Sequence, residues 1–193
     1  MTPRRLKLTL LLASIVLAGL IFLAWTQEWY SIVLTTGQTV SVTGSTAAPA
    51  TSTLALTTLV LVGALAIAGP VFRVVLGVLE ALLGLTIVLS GVLAMGNPVT
   101  ASKTLITGAT GIAGTDSIPE LVDSVSSSAW PLVSTVAGAL LIVVGIAVAV
   151  TGRAWPGSSR KYSAVRTEPV DGDTIAEWDA LTSGDDPTDR EAR

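Results

Sequence analysis

Long apolar segments alternate with shorter polar ones along this chain, and four of the apolar segments have the length that crosses a bilayer. A helix that spans the hydrocarbon layer needs roughly 20 mostly apolar residues at about 1.5 Å each. Residues 8–25, 50–69, 74–95 and 131–151 all come close to that length. The pattern therefore predicts an all-α membrane protein with four transmembrane helices.

The first apolar segment allows two interpretations. Arg4, Arg5 and Lys7 precede it, and the sequence VLA that ends at Ala18 resembles a signal-peptide cleavage site. The apolar run nevertheless continues to Trp25, which gives it the length of a span. We expect an uncleaved signal anchor, and cleavage after Ala18 is the alternative.

The second and third spans are too long together to form one helix. About 46 continuous helical residues would extend roughly 69 Å, which is twice the thickness of the hydrocarbon layer. The sequence GPVFR between the spans contains a glycine, a helix-breaking proline and one cation. We therefore expect a tight turn over residues 70–73 and a close hairpin of these two spans.

Positive charges predict the orientation of the spans. With the amino terminus inside, eight Lys and Arg residues flank the membrane on the cytoplasmic side, whereas Lys103 alone lies outside. Loops rich in Lys and Arg stay in the cytoplasm. We expect residues 1–7, 70–73 and 152–193 to be cytoplasmic, with both termini inside and the protein in the cell membrane.

Aromatic and basic residues are expected to mark both membrane surfaces. Trp25, Trp29 and Trp130 lie at the outer ends of the spans, where ring side chains favour the headgroup layer. The segment RAWPGSSRKYSAV supplies a second set at the inner surface, next to anionic lipid headgroups. We expect both sets to anchor the protein in the lipid. The inner set consists of Trp155, Arg160 and Tyr162.

The two outer loops, residues 26–49 and 96–130, carry different signals. In the first loop, two β-branched runs flank Gly37 and its neighbours, which predicts a small extracytoplasmic β-hairpin. In the second loop, Ser117 is followed three residues later by a Glu, as in a helix capping box. This spacing predicts a short helix that begins at Ser117 and ends at Ser127.

The tail, residues 152–193, is acidic, because nine of the fourteen Asp and Glu residues follow Thr167. Its polar composition, interrupted by Pro and Gly, predicts disorder. Ile175, Trp178 and Leu181 have the spacing of one helix face and follow a capping residue. Two interpretations remain open: a helix that folds on a cytoplasmic partner or on the protein's own cytoplasmic face, and a transient helix without a partner.

Glu80 is the only ionisable side chain within the four predicted spans. Intramembrane carboxylates are energetically costly, so they are functional candidates by default. Arg73 lies about 10 Å away along the same face of the same helix. An ion pair between them is the structural alternative to a proton or substrate site, and it is the interpretation we favour.

Glycines recur along one face of the third span and one face of the fourth. Those of the third span share their face with Arg73 and Glu80, and those of the fourth share theirs with Ser134. Small residues at this spacing let helices approach closely in lipid. We expect the two spans to pack through these faces, with Glu80 turned inward. The glycines are Gly77, Gly84 and Gly91 in the third span and Gly138, Gly145 and Gly152 in the fourth.

The composition excludes several classes of chemistry. Of the 193 residues, 50% are hydrophobic and 13% are charged, and there is no Cys or His. Mean hydropathy is +0.71. Thiolate and imidazole catalysis, disulfides and Cys/His zinc sites are therefore excluded.

We expect no enzymatic activity, no cofactor and no bound metal. The expected partners are the lipid bilayer, a cytoplasmic protein and a second copy of the chain, and not nucleic acid.

Four features together resemble a known family. They are VTGSTAAPA before the second span, the turn at Arg73, AWPGSSRKY after the fourth span, and WDALTSGDDPT near the carboxyl terminus. This combination resembles the tryptophan-biosynthesis-associated membrane proteins of actinobacteria, four-helix proteins encoded beside tryptophan biosynthetic genes. The resemblance implies an association with tryptophan metabolism and carries over no catalytic residue.

Two functions are consistent with these observations. We expect a scaffold or regulatory interaction protein whose tail engages a cytoplasmic partner. The alternative is a small transporter, or a transporter subunit, for tryptophan, indole or a precursor, with Glu80 in proton coupling. The absence of an internal repeat or a broken helix in the sequence favours the scaffold.

Overall fold

Four long apolar helices, joined by short helices and three strands, make up the structure. The computed structural model describes residues 2–111 and 117–155. Each long helix is apolar and long enough to cross a membrane, which confirms the predicted four-helix membrane fold. In chain order the elements are α1 (Pro3–Thr26), β1 (Glu28–Leu34), β2 (Thr39–Thr43), α2 (Gly44–Ala47), α3 (Ala50–Ile67), α4 (Pro70–Gly96), α5 (Pro98–Ala101), α6 (Lys103–Thr110), α7 (Ser117–Glu120), β3 (Val122–Ser127), α8 (Trp130–Thr151) and a 3-10 turn (Gly152–Ala154).

Prolines set the starts of the long helices. Pro3 and Pro70 occupy the first turns of α1 and α4, where the missing N–H has no intrahelical partner to lose. The predicted turn at residues 70–73 is therefore the first turn of α4. The connection between α3 and α4 consists only of Ala68 and Gly69.

Helix α4 packs most extensively on α8, and α1 packs on both α3 and α8. The expected close hairpin of α3 and α4 has the predicted tight turn, but these two helices contact each other much less than α4 contacts α8. Apolar side chains from all four helices fill the centre of the bundle. They are Leu17, Ile21, Ala55, Ile87, Ala137 and Leu141.

A three-stranded antiparallel sheet with the order β2-β1-β3 lies at one end of the bundle. Strands β1 and β2 form the predicted hairpin, and Gly37 in its turn has a φ of 83°, a conformation that favours glycine. Strand β3 pairs with the other edge of β1, where Ile32 lies opposite Val125. We call this end of the bundle the sheet end, and the opposite end, where α4 begins, the Arg73 end.

The predicted helix from Ser117 to Ser127 is wrong beyond its first turn. Helix α7 ends at Glu120, and residues 122–127 form β3. Val and Ser are weak helix formers, and the open edge of β1 offers a row of unpaired hydrogen-bonding groups. Pairing with β1 therefore prevails over the capping signal.

The sheet covers a small core of its own. Its side chains pack with the short helices and with Ala94 near the end of α4, which links this core to the bundle. The buried members from the strands are Trp29, Tyr30, Ile32, Leu34 and Val42, and those from α6 and α7 are Ile106 and Ile118.

Candidate functional site

Glycines bring the backbones of α4 and α8 into contact. A methyl group added to Gly77 would lie 2.6 Å from the backbone nitrogen of Ala149, and one added to Gly145 would lie 2.5 Å from that of Ala81. Carbon atoms do not approach backbone atoms so closely, so only glycine fits at either position. The other predicted glycines lie in the same interface, with Gly84 against Gly138, Gly91 against Thr135 and Gly152 against Arg73.

Glu80 lies on this face of α4, between Gly77 and Gly84. Its side chain is 0% exposed, and neither carboxyl oxygen has a hydrogen-bond partner among the described residues. Ser14 of α1 is close enough to influence the carboxyl group, but its hydroxyl donates to the carbonyl oxygen of Leu10 at 3.0 Å. Buried polar groups are almost always hydrogen-bonded, so Glu80 is an exception in the bundle, together with the buried hydroxyl of Ser134.

Arg73 does not form the ion pair with Glu80 that we favoured. Its side chain is 3% exposed, and Nη1 donates to the carbonyl oxygens of Gly152 at 3.2 Å and Trp155 at 3.0 Å. The guanidinium carbon also lies 5.6 Å from the ring centre of Trp155. The last carbonyls of a helix lack intrahelical partners and carry the negative end of its dipole. These carbonyls attract Arg73, which caps the carboxyl-terminal end of α8.

Lys7 of α1 makes a similar contact with the end of α3. Its Nζ donates to the carbonyl oxygen of Ala66, in the last turn of α3, at 2.9 Å. Two of the eight cations that the orientation argument counted, Lys7 and Arg73, thus also cap helices. The sequence carried one signal for this role, since both cations lie at the depth where a neighbouring span ends.

Two of the predicted interface tryptophans are buried inside the protein. Trp29 is 0% exposed and its indole N–H donates to the carbonyl oxygen of Ala24 at 2.8 Å. Trp155 is also buried and donates to the hydroxyl of Thr151 at 3.2 Å. A helix end offers each indole N–H an acceptor inside the protein, so neither ring needs the headgroup layer. The other two, Trp25 and Trp130, are half-buried at the sheet end.

Tyr30 is a buried polar residue that the sequence analysis did not single out. Its hydroxyl is buried without a hydrogen-bond partner in the described residues, and burial raises the pKa of this hydroxyl above its usual value. An open cleft of about 470 Å³ lies next to it, lined also by Ser127 and Leu132. No local pattern marks Tyr30, because its burial depends on the sheet and the ends of two helices.

The tail residues singled out in the sequence lie outside the described part of the chain. This holds for Arg160, Tyr162, Ile175, Trp178 and Leu181, whose roles stay predictions. Within residues 2–111 and 117–155, no three His, Cys, Asp or Glu side chains are grouped to hold a metal ion.

Comparison with known proteins gives a match at the level of the family. The family model described as tryptophan-associated transmembrane protein matches residues 10–188. This range includes the sheet, nearly all of the four long helices and most of the tail. No curated protein and no solved structure matches the chain significantly.

Proposed function

Because this chain belongs to the family of tryptophan-associated transmembrane proteins, we propose that it is a membrane scaffold or regulatory interaction protein of tryptophan biosynthesis. Four apolar helices make it a multi-pass membrane protein. The scaffold role rests on one observation, the closed packing of the helix bundle.

The centre of the bundle holds side chains and backbone instead of a passage. Gly77 and Gly145 bring α4 and α8 into backbone contact. Ile21, Ile87 and Leu141 are all 0% exposed between the helices. Interiors packed in this way are rigid, so the bundle is suited to holding the segments outside the membrane in fixed positions.

The orientation of the protein is part of the proposal. Lys and Arg residues are concentrated at the Arg73 end of the bundle, and this excess supports a cytoplasmic location for that end and for both termini. The acidic tail then faces the cytoplasm, where Ile175, Trp178 and Leu181 form the partner-binding segment. The sheet end lies on the opposite side of the membrane.

Removal of the tail tests the scaffold role. In a host that lacks its own copy of the gene, we would compare the full chain, a chain ended after Tyr162, and Trp178→Ala. Photo-crosslinking from the tail to tryptophan-pathway enzymes and the cellular tryptophan level are the two measurements. We expect Trp178→Ala to lose the crosslink, and we expect both altered chains to change the tryptophan level, which is the only measurement for the chain ended after Tyr162 because that chain has no tail to crosslink.

Ser183→Ala is the matched control, because at helical spacing Ser183 lies on the face opposite Trp178. This variant should retain the crosslink and the tryptophan level of the full chain. A tail-less protein that accumulates in the membrane and supports an unchanged tryptophan level would contradict the scaffold role.

A transporter is the second candidate function, because Glu80 lies in the bundle interior without a hydrogen-bond partner in the described chain. Flux of labelled tryptophan and indole into proteoliposomes under a pH gradient tests this function, with Glu80→Gln as control. Gradient-driven flux that the substitution abolishes would establish a transporter. Flux equal to that of empty liposomes, with folded protein, would favour the scaffold.

A further inference from the structure

Residues of three helices lie near one another at the Arg73 end of the bundle. The Nζ atom of Lys7 on α1 contacts the carbonyl oxygen of Ala66 on α3 at 2.9 Å. Lys7 is also near enough to Arg73 on α4 for the two charges to interact. These three residues, all near this end of the bundle, serve as the level from which depth along their helices is counted.

Three buried polar side chains lie at a similar depth from that level. Ser14 on α1, Thr58 on α3 and Glu80 on α4 are each about 10 to 12 Å along their helices, and all three are 0% exposed. Both hydroxyls donate to their own helices, Ser14 to Leu10 O at 3.0 Å and Thr58 to Leu54 O at 2.9 Å. Both hydroxyls thus donate within their own helices, and neither carboxyl oxygen of Glu80 has a hydrogen-bond partner among the described residues, although the Ser14 hydroxyl is near enough to interact with the carboxyl group.

Among the described residues, the cations near Glu80 do not compensate a negative carboxylate. Helices α3 and α8 carry no titratable side chain, and the cations of α1 are Arg4, Arg5 and Lys7, all near its start. Arg73 directs its Nη1 to the carbonyl oxygens at the end of α8. An ionised carboxylate in dry surroundings without a partner is strongly disfavoured relative to its protonated form.

We propose that the Glu80 carboxyl is a proton-binding site in the interior of the bundle, occupied by a proton at neutral pH. A metal cation fits less well, because hard cations take more oxygen ligands than the Glu80 carboxyl and the nearby Ser14 hydroxyl supply. The site lies in the bundle and not in the tail. The proposal therefore holds whether the protein acts as a scaffold or as a transporter.

Dicyclohexylcarbodiimide, an apolar reagent that reacts with protonated carboxyl groups, tests the proposal. The acid O–H adds across one C=N bond of the reagent, and the acyl group then moves from oxygen to nitrogen to give a stable N-acylurea. We would treat the full chain in liposomes at neutral pH and locate the adduct by mass spectrometry. We expect modification at Glu80 and none at Glu28 or Glu120, whose side chains are exposed.

Three controls separate the outcomes. A water-soluble carbodiimide with an added amine should modify Glu28 and Glu120 and leave Glu80 unmodified. Glu80→Gln should lose both the adduct and one carboxylic-acid C=O band in the infrared spectrum. If that variant fails to fold, loss of the adduct from the unaltered chain at high pH replaces this control. An unmodified Glu80 at neutral pH, or protection of Glu80 by sodium ions at constant pH, would overturn the proposal.

Discussion

Helix α4 packs on both α3 and α8, and it packs more closely on α8, the one that is farther away in sequence. Only Ala68 and Gly69 separate α3 from α4, yet these helices make few contacts. Helix α8 follows α4 after a long intervening segment, and the two helices touch backbone to backbone.

The difference shows that a short connection brings helix ends together, whereas small residues bring helix faces together. In lipid, helix association depends on close packing because there is no hydrophobic effect between the helices. Gly63 is the only glycine in α3, and a methyl group added there would meet nothing within 4 Å. Helix α3 therefore has no glycine face to match that of α4.

The largest effect is expected from Gly77→Ala, which places a methyl group against the backbone nitrogen of Ala149. Backbone atoms cannot rotate away, so we expect the free energy of unfolding to fall by about 3 kcal/mol. Denaturant titration in micelles measures this change. Gly63→Ala is the matched control, and its stability should stay within about 1 kcal/mol of the unaltered protein. Equal losses in both variants would show that the α4–α8 contact is not special.

A smaller effect is expected from Arg73→Met, which removes the cap that ties α4 to the end of α8. The carbonyl oxygens of Gly152 and Trp155 lose a charged donor, so we expect a loss of about 2 kcal/mol. The same titration reports the change. Arg153→Met is the control because Arg153 is exposed. If Arg153→Met lost as much stability as Arg73→Met, the effect would come from the loss of a positive charge and not from the loss of the cap.

Ile87→Val should reduce the free energy of unfolding by about 1 kcal/mol, because the lost methyl group leaves a gap in the bundle centre. Ile87 is 0% exposed and packs against the position of Gly138. Ile67→Val makes the same chemical change at the end of α3, where the side chain is 88% exposed. Thermal unfolding should separate the two variants, and identical transitions would argue against a closely packed centre.

The smallest effect is expected from insertion of Gly-Ser between Ala68 and Gly69. Doubling the length of a loop raises the entropic cost of closing it by about 0.6 kcal/mol. Because α3 and α4 make few contacts, the insertion disturbs little else. Denaturant titration should show a loss no larger than that. A loss as large as the one expected for Gly77→Ala would mean that the short connection, and not the glycine face, holds α4 in place.

The spans and the glycine faces could be predicted because they depend on composition and on the helical period. Gly77 and Gly84 fall on one face of α4 by spacing alone, and Glu80 falls between them. The hairpin at Gly37 was likewise a local pattern of β-branched runs around a glycine. Each of these features needs only residues that are near one another in the chain.

Partners of polar groups could not be predicted, because tertiary packing decides which groups meet. The spacing of Arg73 and Glu80 favoured an ion pair, but the end of α8 places two carbonyl oxygens beside Arg73. Trp29 lies near the outer end of a span, where an interface residue is expected, but the sheet packs over it and buries it in the core. The formation of β3 could be predicted only by knowing that β1 has a second open edge.

The sheet also constrains the order in which the protein is assembled. Strand β1 is complete early in synthesis, but residues 122–127 fill its second edge only after α4 has been made. Pairings between distant segments form slowly, and an open strand edge invites aggregation. Until β3 is made, the nascent chain therefore carries an unfinished edge, and a chain whose third span fails to insert would keep that edge exposed to chaperones and proteases.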